Sequence, residues 1–286
     1  YLAEIFRGEQ LPNDLVIKQI GGMSNKNFKV TKGEKEYVLR VPGNGSEGMV
    51  ERNNEEQNSL QACKMGINPS VRYFNAETGI KLADFVKNAE TLNGATIQRP
   101  SNMKKIAEIF KTLHNSHVRF GNEFNVFKEI LKYEELLEKA SGKMYEGYES
   151  IREQVFHLEE YLNQLGVLVK PCHNDLVAEN FLKAEDGTIY LIDWEYSGMN
   201  DPMWDIAALF LESHFTEESQ DYFLNLYFDR GEPEHAREKI LIYQILMDYL
   251  WALWTCVKEA QGDDFGTYGM DRYTCAINNL KKIEIK

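Results

Sequence analysis

The stretch HNDLVAEN, residues 173–180, puts His173, Asn174, Asp175, Glu179 and Asn180 into eight positions. Eighteen residues beyond Asp175 stands a second acidic cluster, IDWE (192–195), headed by Asp193 and preceded by apolar residues. Asp175, Asn180 and Asp193 all offer oxygen donors, which suit Mg²⁺ better than zinc. An isolated HND is also compatible with a polar turn, because Asn and Asp side chains cap turns well. A hydrolase with His173 as base and Asp175 as its orienter would need a nucleophile. The chain has neither a G-x-S-x-G elbow nor a suitable cysteine.

The spacing discriminates between these readings. Protein kinases carry H-R-D-L-x-x-x-N, followed by a D-F-G whose Asp binds metal. Here His173-Asn174-Asp175-Leu176 is followed by Asn180, five residues after Asp175, and then by Asp193-Trp194-Glu195. A substrate hydroxyl needs a carboxylate to orient it and take its proton, the part assigned to Asp175. Metal on nucleotide phosphates needs oxygen ligands from two chain segments, supplied by Asn180 and Asp193. The rest of phosphoryl transfer is positioning and charge neutralisation.

The departures from that signature are informative too. Glu195 stands where the Gly of D-F-G would be, and no A-P-E segment follows. In place of a G-x-G-x-x-G loop there is Gly21-Gly22-Met23-Ser24-Asn25, either a phosphate cradle or a simple hairpin turn. Where a kinase shows V-A-I-K, this chain has Val38-Leu39-Arg40. Arg40 is either a fork for phosphate oxygens, with Glu55 on the next helix as partner, or an outward-facing strand charge. These differences point away from protein substrates.

The chain-wide features agree with a globular enzyme. Its 286 residues suffice for one large domain or two lobes, with 43% hydrophobic and 27% charged residues. A formal net charge of −13 argues against a general nucleic-acid or anionic-membrane binder and is mildly favourable for a cationic small substrate. Cys63, Cys172, Cys256 and Cys275 form no C-x-x-C pair or zinc spacing, so free thiols in the cytoplasm are expected. YLAEIFRGEQ lacks the regions of a signal peptide and does not begin with Met, which points to a trimmed start. Residues 240–257, ILIYQILMDYLWALWTCV, are long and apolar, but Gln244 and Asp248 interrupt them. A buried central helix is expected there, with no membrane insertion.

The first 90 residues read as strands DLVIKQI, NFKVTK and EYVLRV, a helix ending at Gly66, and strands VRYF and GIKLADFV. From about Ser101 helices take over. SNMKKIAEIFKTLHNSH carries Met103, Ile106, Ala107, Phe110, Leu113 and His114 on one face. Another helix runs to Gly166, with Ile151, Val155, Leu158, Leu162 and Leu165 as its stripe. VLVKPCHND and TIYLID read as short strands, and a further helix is predicted to start at Pro233. The expectation is an α+β, bilobal, protein-kinase-like fold. Residues 1–90 form a small β-rich nucleotide-binding lobe, and 91–286 a larger, mostly helical catalytic and substrate-binding lobe.

With these residues in hand, the chain resembles the choline/ethanolamine kinase and aminoglycoside phosphotransferase group, and within it the bacterial choline kinases that feed phosphorylcholine decoration. The likeness is carried by GGMSNKNF, VLRVPG, ERNNEEQN, GIKLADFV, HNDLVAENF, IDWEYSGMNDPMWDIA and DYLWALW. It implies ATP and Mg²⁺ as cofactors, Asp175 as catalytic base, and Asn180 and Asp193 as metal ligands. It further implies that Arg40 faces the nucleotide phosphates and that Ser24 and Asn25 lie over them. The backbone of Asp84, Phe85 and Val86 would meet adenine, and Asp205 would be a buried brace for the catalytic loop. Val177 departs from eukaryotic relatives, which have a glutamine there.

Trp251 and Trp254 are three residues apart and share a helix face. From spacing alone they serve either core packing or, through their aromatic faces, a quaternary ammonium. The resemblance carries Trp251, Trp254, Tyr196, Glu212 and Tyr268 onto a choline pocket. Aromatic faces favour choline over ethanolamine, whose primary ammonium wants hydrogen-bond acceptors on three sides. The expected reaction is transfer of the ATP γ-phosphate to choline. The alternatives are an ethanolamine or aminoglycoside phosphotransferase, or an inactive kinase-fold binding module. Oligomeric state is not legible from the sequence.

Overall fold

The computed structural model describes residues 5, 15–21, 25–43 and 50–283. Gly22, Met23 and Ser24 lie outside the described residues, and with them the expectation for Ser24. The described chain divides into two compact units. One holds the residues up to Asn122 together with Val177–Gly198; the other holds Glu123–Leu176 and the residues from Met199 onward. This division is not the expected one at 90/91: the first unit also takes in a long helix and a returning segment.

In the first unit β1 (Val16–Gly21), β2 (Asn25–Lys32), β3 (Lys35–Pro42), β4 (Val71–Asn75) and β5 (Ile80–Asp84) form a sheet of order β1-β2-β3-β5-β4. Every neighbouring pair is antiparallel. The β2–β3 hairpin closes through Gly33-Glu34, and Gly33 takes the positive φ (59°) that tight hairpin turns require. Val30, Leu39, Ile80 and Leu82 form the core of this sheet, with Phe28, Tyr37, Val41 and Tyr73 packed against it.

Leu39 faces that core, so its neighbour Arg40 projects from the opposite face. Helix α1 (Arg52–Lys64) buries an unusual set, Glu55, Asn58, Ser59 and Ala62. The helical period gives it one buried stripe, but a mostly polar one. It ends in a Schellman turn: Gly66, at φ 74°, donates to Cys63 O and Ile67 to Ala62 O. Helix α2 (Pro100–His114) has Pro100 in its first turn and buries all six residues of its predicted stripe. A second sheet, β6 (Glu90–Thr91), β8 (Phe181–Lys183) and β9 (Ile189–Leu191), belongs to the same unit.

The second unit is helical: α3 (Val126–Lys139), α4 (Tyr148–Leu165), α5 (Pro202–Glu212), α6 (Glu217–Tyr227), α7 (Ala236–Ala260) and α8 (Tyr268–Leu280). Helix α7 is its axis and packs against α3, α4, α5 and α8. It is long and apolar enough to cross a membrane, but 78% of its most apolar stretch is buried by that packing. It begins at Ala236, not Pro233; Pro233 instead lends its carbonyl to the turn preceding the helix. Strand β7 covers only Lys170–Cys172 of the predicted VLVKPCHND. Val167, Leu168 and Val169 are exposed and have no pairing partner among the described strands. β10 (Gly198–Asn200) runs beside β7.

Candidate active site

The first unit carries a buried ionic cluster built on β3, α1 and the segment after β9. Arg40 grips Glu55 with both arms, Nη1 to Oε1 at 2.5 Å and Nη2 to Oε2 at 2.8 Å, and donates to Gly79 O at 3.1 Å. Arg52 donates to Glu55 at 2.8 Å and to Glu195 at 3.0 Å, and Lys81 reaches Glu55 at 3.1 Å. Asn25 donates to Glu195 at 3.5 Å. Arg40 is thus a buried ion-pair partner rather than an outward strand charge, and Glu55 is its partner as expected. Burial pushes the Glu55 carboxyl up, but Lys81, Arg40 and the hydrogen bonds from Arg40 and Arg52 outweigh it and hold it at about 2. Glu195 is shifted the other way, raised by burial and by the charge of Asp193.

Asn180 and Asp193 stand at the two ends of the β8–β9 hairpin. The register pairs Phe181 with Leu191, and Asn180 O accepts from Ile192 N at 2.9 Å. Asp193 takes a left-handed backbone (φ 67°), a strain that fixes where its carboxylate points. Its Oδ1 is buried without a hydrogen bond and lies 3.7 Å from Arg40 Nη1. An all-oxygen donor pair with one carboxylate oxygen lacking a proton donor fits a hard cation.

The segment expected to meet adenine is already partly engaged within the first unit. Asp84 N and Phe85 N already donate to Ser70 O and Glu36 O, at 2.9 and 3.1 Å. The Asp84 carboxylate is held by Arg72 at 2.6 and 2.7 Å. Pairing of β5 ends at Asp84, which leaves Val86 beyond the sheet.

In the second unit, the fully buried Asp205 on α5 accepts from His173 N at 2.9 Å and Asn174 N at 2.8 Å. Asn174 is held at φ 69°, with Trp204 Nε1 donating to its carbonyl at 3.1 Å and Asn200 donating to Oδ1 at 3.0 Å. Asp205 therefore braces the loop, and the half-buried Asp175 follows directly on the strained residue. The involvement of Trp204 and Asn200 was not foreseen. The sequence signal was the run Asn200-Asp201-Pro202-Met203-Trp204-Asp205, where an N-cap and Pro start a helix that brings both the indole and the carboxylate to one loop.

Also in the second unit, Trp251 and Trp254 on α7 are half-buried and meet edge to face, centroids 6.1 Å apart at 90°. Phe265, absent from the expected pocket, packs against Trp254 at 4.9 Å. Glu212 ends α5 and is ion-paired with Arg272 of α8. Arg272 also donates to Asp248 of α7 at 2.8 Å and to Tyr268 Oη at 3.1 Å. Burial pushes the Asp248 carboxyl up to about 6, against the pull of Arg272 and with the help of Glu212. Tyr196 belongs to the first unit.

The family model "Choline/ethanolamine kinase" matches residues 16–277. The chain belongs to the choline/ethanolamine kinase family. The choline kinase LicA of Streptococcus pneumoniae is 43% identical, with 95% of each chain covered and a TM-score of 0.84. A LicA structure in complex with AMP is 42% identical, with a TM-score of 0.82 over 95% of this chain and 94% of that one. Protein LicA of Haemophilus influenzae is 33% identical over 279 residues, 95% of this chain and 81% of the relative. Membership makes this chain a kinase, an ATP-dependent phosphotransferase with an alcohol acceptor, and the sheet-first, helices-after fold is the kinase-like one expected.

Proposed function

We propose that this kinase transfers the γ-phosphate of ATP to the hydroxyl of choline, giving phosphocholine and ADP. The observation that carries the choice of acceptor is the right-angled Trp251–Trp254 pair, extended by Phe265. Aromatic faces attract a quaternary ammonium at about 0.5–2 kcal/mol each and make no use of N–H donors, which choline lacks.

In the reaction, Asp175 orients the hydroxyl and takes its proton as the oxygen bonds to phosphorus. The bond from phosphorus to the bridging oxygen of the β-phosphate breaks, and ADP departs. Asn180 and Asp193 would hold Mg²⁺, which when bound neutralises charge on the phosphates. Arg40, fixed by Glu55, puts a guanidinium beside Asp193, as the lysine–glutamate pair does in protein kinases. Asn25, with its amide toward Glu195, borders the same cluster. Glu212 and Tyr268 contribute to the cation's pocket through Arg272. The reaction takes place in the cytoplasm, where ATP is supplied.

The test is ATP consumption coupled to phosphocholine detection, with choline, ethanolamine and kanamycin offered separately and Asp175→Asn as control. Turnover with choline that the variant loses is the expected result. A preference for ethanolamine or kanamycin would overturn the choline assignment while keeping the kinase. Inactivity with all three would favour a binding module.

A further inference from the structure

Arg272 is the one strong cation in a cluster drawn from three helices: Glu212 on α5, Asp248 on α7, and Tyr268 with Arg272 itself on α8. Each of its three nitrogens has a partner in the cluster. Nη1 goes to Asp248, Nη2 to Glu212 and Nε to the Tyr268 hydroxyl, and the guanidinium carbon lies 5.2 Å from the Tyr268 ring centroid. Asp248 is buried, and one helical turn after it comes Trp251. The guanidinium therefore occupies the ground between the carboxylate and the tyrosine that were assigned to the substrate cation.

We infer that Arg272 is a specificity-determining positioning residue, which keeps Glu212 and Asp248 engaged and so disfavours a primary ammonium against a quaternary one. This rests on the choline reading of the same site. Two carboxylates against one guanidinium leave one net negative charge, enough to attract any monocation. Hydrogen-bond acceptors are another matter. A primary ammonium brings three N–H donors, and each one buried without an acceptor is costly. Arg272 has already claimed Glu212 Oε1, Asp248 Oδ1 and one lone pair of the Tyr268 hydroxyl, and Asp248 Oδ2, though without a hydrogen bond, is buried away from a ligand. A trimethylammonium has no N–H to satisfy, so it keeps the charge attraction and the aromatic faces without that penalty. Releasing Glu212 by removing the fork would return an acceptor to a primary amine.

The experiment measures kcat and KM for choline and for ethanolamine on the wild type, Arg272→Gln and Arg272→Gln/Asp248→Asn. The double variant removes the carboxylate that the single variant leaves buried and unpaired, and it keeps the wild-type net charge. In both variants the ratio of kcat/KM for choline to that for ethanolamine should fall about 10- to 100-fold, carried by KM, the scale of one or two hydrogen bonds to a charged group. A ratio within about twofold of wild type, with both substrates declining together, would make Arg272 a purely structural residue and overturn the assignment. So would a double variant that fails to fold, read from its thermal melt. A ratio restored to wild type in the double variant alone would assign selectivity to net charge instead, and overturn it equally. A wild-type enzyme that does not favour choline defeats the underlying choline reading, whatever the variants do.

Discussion

Two arginines, the buried Arg40 and the half-buried Arg272, organise this molecule, and they are surrounded differently. Arg40 sits among Arg52, Lys81, Glu55, Asp193 and Glu195, three cations against three carboxylates. Arg272 sits between Glu212 and Asp248, one cation against two. If Asp193 is given to a metal, the first cluster is left with surplus positive charge, suited to phosphate oxygens. The second keeps a surplus negative charge, suited to a small cation. The same residue type thus stands in opposite electrostatic settings, and the difference lies in how many carboxylates each fold element brings to it.

The sharpest test of the proposed reaction is to remove its base. Asp175→Asn should lower kcat on the order of 10²–10⁴-fold, the scale of general-base loss, while leaving nucleotide affinity intact. Turnover and nucleotide binding measured on the same preparation check it. A variant within about threefold of wild type would remove Asp175 as the base.

Next in size is the balance of the first cluster. Glu55→Gln leaves Arg40 buried without its carboxylate and should cost about 3–5 kcal/mol in denaturant-unfolding free energy. The same residue sets a pH signature. Its carboxyl falls from 4.5 to about 2 on folding, so its stabilisation is complete above pH 4.5 and is lost as pH falls toward 2. That drop is worth about 3 kcal/mol, and the variant's acid limb should be flatter by that amount. A variant with an unchanged acid limb would show that the ion pair contributes nothing to stability.

The comparison also shows where sequence reading works. HNDL, Asn180 and Asp193 stand out in the sequence because phosphoryl-transfer chemistry fixes residue type and spacing within a short segment. The Arg40–Glu55 pair was legible because a strand and the next helix carry it. Arg272 was not, since its partners lie 24 and 60 residues away and are joined only by the packing of α5, α7 and α8. Phe265 escaped for the same reason. Of the fold, the sheet strands and α2 followed from period, whereas α3 was passed over although Val126, Phe127, Ile130, Tyr133 and Leu137 are spaced helically and buried. VLVKPCHND looked like one strand because β-branched residues dominate it, yet only Lys170–Cys172 pair. The loop beyond is shaped by Asp205 and the strained Asn174, which no local pattern shows.

The second cluster is sharpened by Trp254→Ala. Removing one aromatic face, and the support of Phe265, should raise KM for choline about 2- to 30-fold with kcat nearly kept, the span of one cation–π contact. Initial rates against choline concentration check it. An unchanged KM would return the tryptophan pair to packing and leave Arg272 without an aromatic companion beyond Tyr268.

The smallest effect asks whether the surplus charge itself matters. Asp248 faces Arg272 and Tyr268 of α8 and feels Glu212 of α5, with Cys275 also within its field. Its carboxyl is raised on folding from 3.8 to about 6, so it favours the folded state fully below 3.8 and loses that contribution as pH rises through 6. Below about 6 the cluster of Glu212, Arg272 and protonated Asp248 is neutral; above it, one negative charge appears. A unit charge near a bound cation in a protein's effective dielectric is worth on the order of 1 kcal/mol, a factor of about 5. The kcat/KM for choline should therefore climb about fivefold across pH 5 to 7, and that step should vanish in Asp248→Asn. A step that persists in the variant would belong to another group, and the second arginine's surplus carboxylate would then hold α7 to α8 rather than attract substrate.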